Sequence, residues 1–436
     1  MKAITLMQTC LKETNWCLLD KNFVKKNFTY IMKGYFYNSK NLEIMFTKSL
    51  ILTSLLCSMS IFAQDDLFNK VINNASLKSK FDFKETINLE NTSVKSQGSA
   101  GTCWSFSGNS FLESEMIKNG KTPVDLAEIF SARQVYLGKA RNYILFNGNL
   151  GLGDGGEPHD VLNMLRKFGA MPQEAYVFED YGKGVIKSGD FQKEFKTILD
   201  DYMKNPSTTK GISWVAEINN YMDEKLGKIP ETFTYNGKNY TPKAFAKDVV
   251  GINPDDYMEF SSYKDNPYYQ KMVLPVPDNW SYDQVYNVPM TEMTDIIDYS
   301  LSKGYSVAWS TDVSEPYFSW KNGVAQVPNL DDLYNITDDQ KKSIFDGPIT
   351  EKIITEDLRQ EGLFSLYTTD DHAMQIVGLA KDQNGKDYYK VKNSWGKTND
   401  YKGYLYVTKA FVQLKSTGIL LNKAGVPKST KSKLQS

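Results

Sequence analysis

Only one of the four cysteines in this 436-residue chain, Cys103, lies beyond residue 57. Whatever folds after that point has no internal disulfide, so a hydrophobic core has to hold it together. The chain has the material: 41% of its residues are hydrophobic, and its length suits one large core or two moderate ones. The 51 basic residues nearly cancel the 52 acidic ones, which gives no reason to expect nucleic acid or a strongly charged partner. No apolar run beyond the leader described next is long enough to span a bilayer.

From Met45 the chain reads MFTKSLILTSLLCSMSIFAQDD. Lys48 supplies a positive start, residues 49–62 an apolar stretch, and Ala63 a small residue before Gln64, which predicts a signal peptide over 45–63. Cleavage near Ala63 predicts an exported protein, periplasmic or secreted. A buried helix is the poorer reading because the segment has no polar face. Lipid attachment at Cys57 is disfavoured by the bulky Leu55 and Leu56 before it. A leader normally opens a chain, so residues 1–44 read as a non-native upstream extension, with translation starting at Met45. Removing 1–63 takes Cys10, Cys17 and Cys57 with it and leaves Cys103 alone, either incidental or reactive. There are two histidines, His159 and His372. One cysteine and two histidines make no recognisable zinc set, so no metal or other cofactor is expected.

Four parts follow the leader. Residues 64–182 carry a predicted helix from Cys103 to about 117, a second over 131–143 and a third over 159–168. Between the last two lies a loop with Gly148, Gly151, Gly153, Gly155 and Gly156. Residues 183–288 read as a mostly helical insertion with two amphipathic helices, at 191–202 and 215–226. It is too aromatic to stay disordered and so packs on the core. Residues 289–425 start with a helix at 293–301 and a strand at 305–310. They continue as β-branched and aromatic runs, HAMQIVGLA, DYYKVKNSW and GYLYVTK, separated by Gly and Asn turns. Residues 426–436 form a polar, lysine-rich tail expected to be solvated.

The stretch from Gln97 to Phe106, QGSAGTCWSF, places Cys103 and Trp104 at the start of a helix after a glycine-bearing approach. Free N–H groups and the dipole at a helix N-terminus favour a thiolate, the form in which cysteine attacks. Gln97, six residues earlier, can offer a side-chain N–H to an oxyanion at the same spot. A lone cysteine is otherwise a small buried hydrophobe; the glycines and Gln97 favour catalysis. A base must take the thiol proton and later pass it to the leaving amine. His372 opens an apolar strand-like run, and Asn393, at the end of the following run, can accept from the imidazole N–H and fix the ring. Trp395 would shield that bond from water.

In the order Cys, His, Asn, these stretches resemble the papain superfamily of cysteine peptidases. The resemblance implies an α+β papain-like fold of two subdomains, a helical left part and an antiparallel β right part. It implies Cys103, His372 and Asn393 as catalytic residues, Gln97 at the oxyanion, and Trp104 and Trp395 in support. Gly155 and Gly156 match the Gly-Gly that pairs with substrate backbone. His159 matches no catalytic position and is expected at the surface or in a structural role. Two departures narrow the branch. Ala100 stands where many members carry a disulfide cysteine, and Cys103 and His372 are separated by far more than the roughly 130–150 residues of the papain and cathepsin pattern. Both features look like the bleomycin hydrolase / aminopeptidase C branch, as do FSARQVYLGKARN, PKAFAKDVVG and KGYSVAWSTDV. That branch implies peptide substrates, an aminopeptidase, a homohexameric ring and a C-terminus lying in the cleft, although this chain's last residues do not match the branch's C-terminal arm. The alternatives are a papain-like endopeptidase with an open cleft and a non-catalytic peptide-binding homologue.

Overall fold

Small side chains run through the first helix, α1 (Cys103–Lys118), and that lets it be buried on nearly every side. At Gly108 an added Cβ would stand 2.5 Å from Val161 Cγ2, so only glycine allows the neighbouring helix so close. Polar residues of α1 are satisfied across its contacts: Ser105 Oγ donates to Glu128 O at 2.7 Å, and Ser110 Oγ to Gln375 Oε1 at 2.7 Å. Gln375 in turn donates to Ser114 Oγ and Ser306 Oγ, both at 2.9 Å, and so ties the helix to the sheet behind it. The computed structural model in which this is seen describes residues 80–176, 188–204 and 213–435. The leader and upstream extension expected over 1–63 lie outside them.

Around α1 pack α2 (Glu128–Leu145) and α3 (Pro158–Phe168). Proline at the first position of α3 has the φ a helix start needs and no N–H to leave unsatisfied. Gly169 ends the helix at φ 90°, and an added Cβ there would meet Pro242 O at 2.2 Å. The two amphipathic helices of the insertion are α4 (Ser188–Lys204) and α5 (Ser213–Leu226).

The strands are β1 (Lys84–Asn88), β2 (Phe233–Tyr235), β3 (Lys238–Tyr240), β4 (Tyr257–Ser261), β5 (Lys271–Val273), β6 (Gln284–Asn287), β7 (Val307–Thr311), β8 (Phe318–Ser319), β9 (Val324–Ala325), β10 (His372–Lys381), β11 (Asp387–Lys392), β12 (Tyr404–Thr408) and β13 (Ser416–Asn422). β2 and β3 form a hairpin of their own. Among the described residues the others make one eleven-stranded sheet, ordered β5-β6-β4-β13-β7-β10-β11-β12-β9-β8, with β1 paired to β10. The insertion is mostly helical, as expected, but it also supplies β2 to β6, and β4, β5 and β6 extend one edge of the sheet. YMEFS, KMV and QVYN are short strands with aromatic or β-branched residues, and the turn residues between them hide their pairing in the sequence.

The tail's lysines, Lys428, Lys431 and Lys433, are exposed as expected, but two of its residues are not: Val426 is 1% exposed and Thr430 2%. Thr430 Oγ1 donates to Glu292 Oε1 at 2.6 Å, and the Gln435 N–H to Tyr269 O at 2.8 Å. Glu292 belongs to α6 (Met290–Ser302), the helix expected at 293–301. The tail is thus packed by its hydrogen bonds onto α6 and the segment before β5.

Two main cores result. The helical one contains Trp104, Phe111, Tyr136, Phe191 and Cys103. The sheet-side one contains Trp309, Phe318, Trp320, Phe411 and Trp395. Ala373 belongs to the first and Met374 to the second, so β10 enters the fold on the seam between them.

Candidate active site

Cys103 is the first residue of α1 and 4% exposed. The loop before it is held by Asp154, whose Oδ2 accepts the Gly101 N–H at 3.0 Å and whose carbonyl accepts Trp104 Nε1 at 2.9 Å. The thiol lies against the backbone N–H groups of Ala373 and Trp104, which favour the thiolate. Burial outweighs them and pushes the thiol up, and the charges of Asp278 and Asp370 push the same way.

Ala373 follows His372, the first residue of β10. In the pairing of β10 with β11, Gln375 faces Lys392 and Ile376 faces Val391. Continued past the end of β11, that register sets Asn393 and Trp395 alongside the start of β10. His372 Nε2 and Asn393 Oδ1 are 2.8 Å apart, and Asn393 Oδ1 also accepts the Ser394 N–H at 2.7 Å. With Nε2 donating to Asn393, Nδ1 is left as the acceptor nitrogen. Burial pushes His372 down to about 4 against the upward pull of the Asn393 bond.

Gln97 is gripped along its length. Its N–H donates to Ser394 O at 2.8 Å, its Nε2 to Ala100 O at 2.6 Å, and its Oε1 accepts Ser394 Oγ at 2.5 Å. One amide proton remains for an oxyanion, at the foot of α1. The structure thus brings Gln97, Cys103, His372, Asn393, Trp104 and Trp395 into one place.

Gly156 lies against Trp104, next to Cys103 in the chain, and it and Gly155 are each glycine for a visible reason. A Cβ on Gly156 would stand 2.8 Å from Trp104 Cε2 and 2.9 Å from Asp160 Oδ2. A Cβ on Gly155 would stand 1.8 Å from Asp278 Oδ2. Asp278, which the sequence reading missed, comes from the segment before β6 and lies on the loop where substrate backbone was expected. Two further carboxyl groups were missed beside it. Asp370, two residues before His372, receives the Asp278 backbone N–H, and Glu157 lies within hydrogen-bonding reach of Asp370. Burial pushes both Glu157 and Asp370 well up; Glu157 raises Asp370 further, whereas the hydrogen bond from Asp370 draws Glu157 down. Buried Lys139 stands nearby, donating to Gly153 O at 2.8 Å and to Gly155 O; burial pushes it down. The only hint in the sequence was the acidic pair preceding His372.

His159 is not at the surface, which corrects one of the two readings given for it. It is 6% exposed, with Nδ1 2.7 Å from Glu259 Oε2 and Nε2 3.5 Å from Asp283 Oδ2. Burial pushes it down, but Glu259's charge and hydrogen bond, with Asp160 and Asp283, outweigh this and hold it at about 10. It is a buried cation tying α3 to β4 and to the residue before β6.

Comparison with known proteins agrees with this architecture. The sequence profile of the Peptidase C1-like family matches residues 142–436, a span that includes His372 and Asn393 but begins after Cys103. Aminopeptidase C of Streptococcus thermophilus is 22% identical over 407 residues, covering 81% of this chain and 87% of that protein. Bleomycin hydrolase of Mus musculus is 22% identical over 410 residues, covering 81% and 85%. The crystal structure of PepW from Lactobacillus rhamnosis HN001 superposes with a TM-score of 0.63 at 18% identity, over 92% of this chain and 95% of that one, and so shares the fold. With the family profile matching well over half of its length, this chain belongs to the Peptidase C1-like family.

Proposed function

We propose that this protein is a cysteine aminopeptidase, using Cys103 as nucleophile, His372 as base and acid, Asn393 to orient the imidazole and Gln97 at the oxyanion. The observation that carries the reading is the His372–Asn393 bond at 2.8 Å, on a strand whose next N–H meets the Cys103 thiol. The thiol proton passes to His372 Nδ1, creating a thiolate and an imidazolium without changing the net charge of the site. Burial opposes that neutral pair less than it opposes either charge alone. Sγ then attacks the scissile carbonyl, and the developing oxyanion takes hydrogen bonds from Gln97 and the start of α1. His372 returns the proton to the leaving amine, giving a thioester. Water, deprotonated by His372, hydrolyses it and restores the thiol.

Exopeptidase rather than endopeptidase action is supported by Asp278, whose carboxyl lies against Gly155 on the loop expected to pair with substrate backbone. The relatives named aminopeptidase C and bleomycin hydrolase point the same way. Export rests on the leader at 45–63, and N-terminal sequencing of the mature protein tests it. No helix among the described residues is long and apolar enough to cross a membrane. A ring of six copies rests on the family resemblance and is tested by sedimentation.

The functional test compares an aminoacyl-coumarin amide with its N-acetyl counterpart. The free-amine substrate is expected to be cleaved preferentially, and Cys103→Ala to cleave neither while remaining folded. Turnover by Cys103→Ala would sink the mechanism, and preference for the acetylated substrate would favour the endopeptidase.

A further inference from the structure

We infer that His159, Asp160 and Asp283 form a binding site for a divalent metal ion, zinc by its donor set, which includes neither Cys103 nor His372. One ligand atom from each of the three residues lies within 4.8 Å of the others. His159 and Asp160 stand in the first turn of α3, and Asp283 directly precedes β6.

Two buried atoms of the set have nothing to bond. His159 Nε2 and Asp160 Oδ1 have no hydrogen-bond partner among the described residues, although the two residues are 6% and 0% exposed. Buried polar groups are normally satisfied, so this pair calls for a ligand. A proton on Nε2 does not serve, because Asp283 Oδ2 stands 3.5 Å off, beyond a good hydrogen bond. Two ligands held about 2.0–2.1 Å from a tetrahedral zinc lie roughly 3.4 Å from each other, which matches that spacing.

The other atoms of the three side chains are already held. Glu259 Oε2, 2.7 Å from His159 Nδ1, accepts the Nδ1 hydrogen and leaves Nε2 to ligate, the arrangement usual for a metal-bound histidine. Asp160 Oδ2 accepts the Glu157 N–H and Trp280 Nε1, each at 3.0 Å. Asp283 Oδ2 accepts Asn163 Nδ2 at 2.8 Å and Ser281 Oγ at 2.6 Å.

Glu259, Asp160 and Asp283 set three carboxyl groups around one imidazole. Zinc in place of the Nε2 proton, which leaves to solvent, adds a positive charge where acceptors are in excess. The Asp283 side chain is 39% exposed, so the metal has a way in and its fourth position opens to solvent. One nitrogen with two oxygens suits zinc, whereas magnesium and calcium prefer oxygen alone. Bound there, zinc would clamp the segment before β6 onto the start of α3.

The test uses the full chain with its cysteines alkylated by iodoacetamide, so that no thiolate can take the metal. After a chelator has been applied and removed, calorimetric titration with zinc chloride is expected to show one zinc per chain. Cobalt(II) should give the visible absorption of a tetrahedral site. Zinc should raise Tm, and magnesium or calcium at the same concentration should not. Glu259→Gln is expected to weaken zinc binding about 10- to 100-fold, and Asp283→Asn by at least as much. The titration of the unsubstituted protein decides the matter even if a variant fails to fold. No zinc bound by the alkylated protein, or an unchanged affinity in folded Asp283→Asn, overturns the site.

Discussion

Trp395 stands over His372, the two ring centroids 4.4 Å apart and the planes tilted by 31°. The indole, itself 5% exposed, packs on the imidazole and helps keep water from competing for its bond to Asn393.

This arrangement makes Asn393 an orienting residue. Asn393→Ala is expected to lower kcat/KM about 10- to 100-fold, acting mainly through kcat. His372→Ala removes the proton carrier itself and should leave turnover near the uncatalysed rate. Steady-state kinetics on the two variants decides the matter. Equal residual rates would mean that Asn393 does more than hold the ring.

His159 gives a stability prediction with a definite sign. Its folded pKa of about 10 lies above the ordinary 6.5, so its contribution is fully present below about pH 6.5. That contribution is lost as pH rises through 10. His159→Ala leaves Glu259 buried without its cation and should cost about 3–5 kcal/mol at neutral pH. Urea unfolding at several pH values should show wild-type stability falling between pH 6.5 and 10, and the variant lacking that component. Severe loss of kcat in a well-folded His159→Ala protein would place the residue in the chemistry.

Gly156→Ala should harm both fold and activity. The new methyl meets Trp104 and Asp160, and Trp104 cannot retreat without giving up its 2.9 Å bond to the Asp154 carbonyl. A cost of about 1–3 kcal/mol is expected from overpacking, with a fall in kcat/KM because Trp104 adjoins Cys103. Thermal unfolding together with kinetics checks both effects.

Removing the chain beyond Val426 tests whether the tail acts on substrate choice. Because the tail is bonded to Glu292 and Tyr269, its loss should lower stability modestly and leave the ratio of free-amine to acetylated turnover unchanged. A ratio that collapses on truncation would return the tail to the cleft.

Much of the site was legible because local chain order expresses its geometry. Cys103, Trp104 and Gln97 lie within ten residues, and His372 opens β10 while Asn393 and Trp395 follow directly on the adjacent β11. The helix starts of α1 and α3 were readable from Cys103 after its glycines and from the run beginning near His159. Asp278, Asp370 and Glu157 were not legible, since three distant loops bring them together and each alone resembles a solvated acid. His159 was rightly kept apart from Cys103, but its burial depends on Glu259 and Asp283, which nothing nearby in sequence announces. The strands β4 to β6 were hidden by tyrosines and turns that also suit loops. The tail's two buried residues, Val426 and Thr430, went unread because what covers them is an element more than a hundred residues earlier.

The pairing of β1 with β10, in which Lys84 faces Lys381, has a consequence for how the molecule is made. An early strand of the fold waits for one synthesised near the end, and the final strand of the sheet, β13, sits between β4 and β7 at its centre. Closing such distant pairs comes late and slowly, and the ribosome adds only about 5–20 residues per second. A growing chain therefore carries Cys103 for most of its synthesis without the base, the strand beside it or the indole that covers them. Proteolytic power is withheld from every unfinished copy by topology alone, with no need of a separate inhibitory segment during that interval.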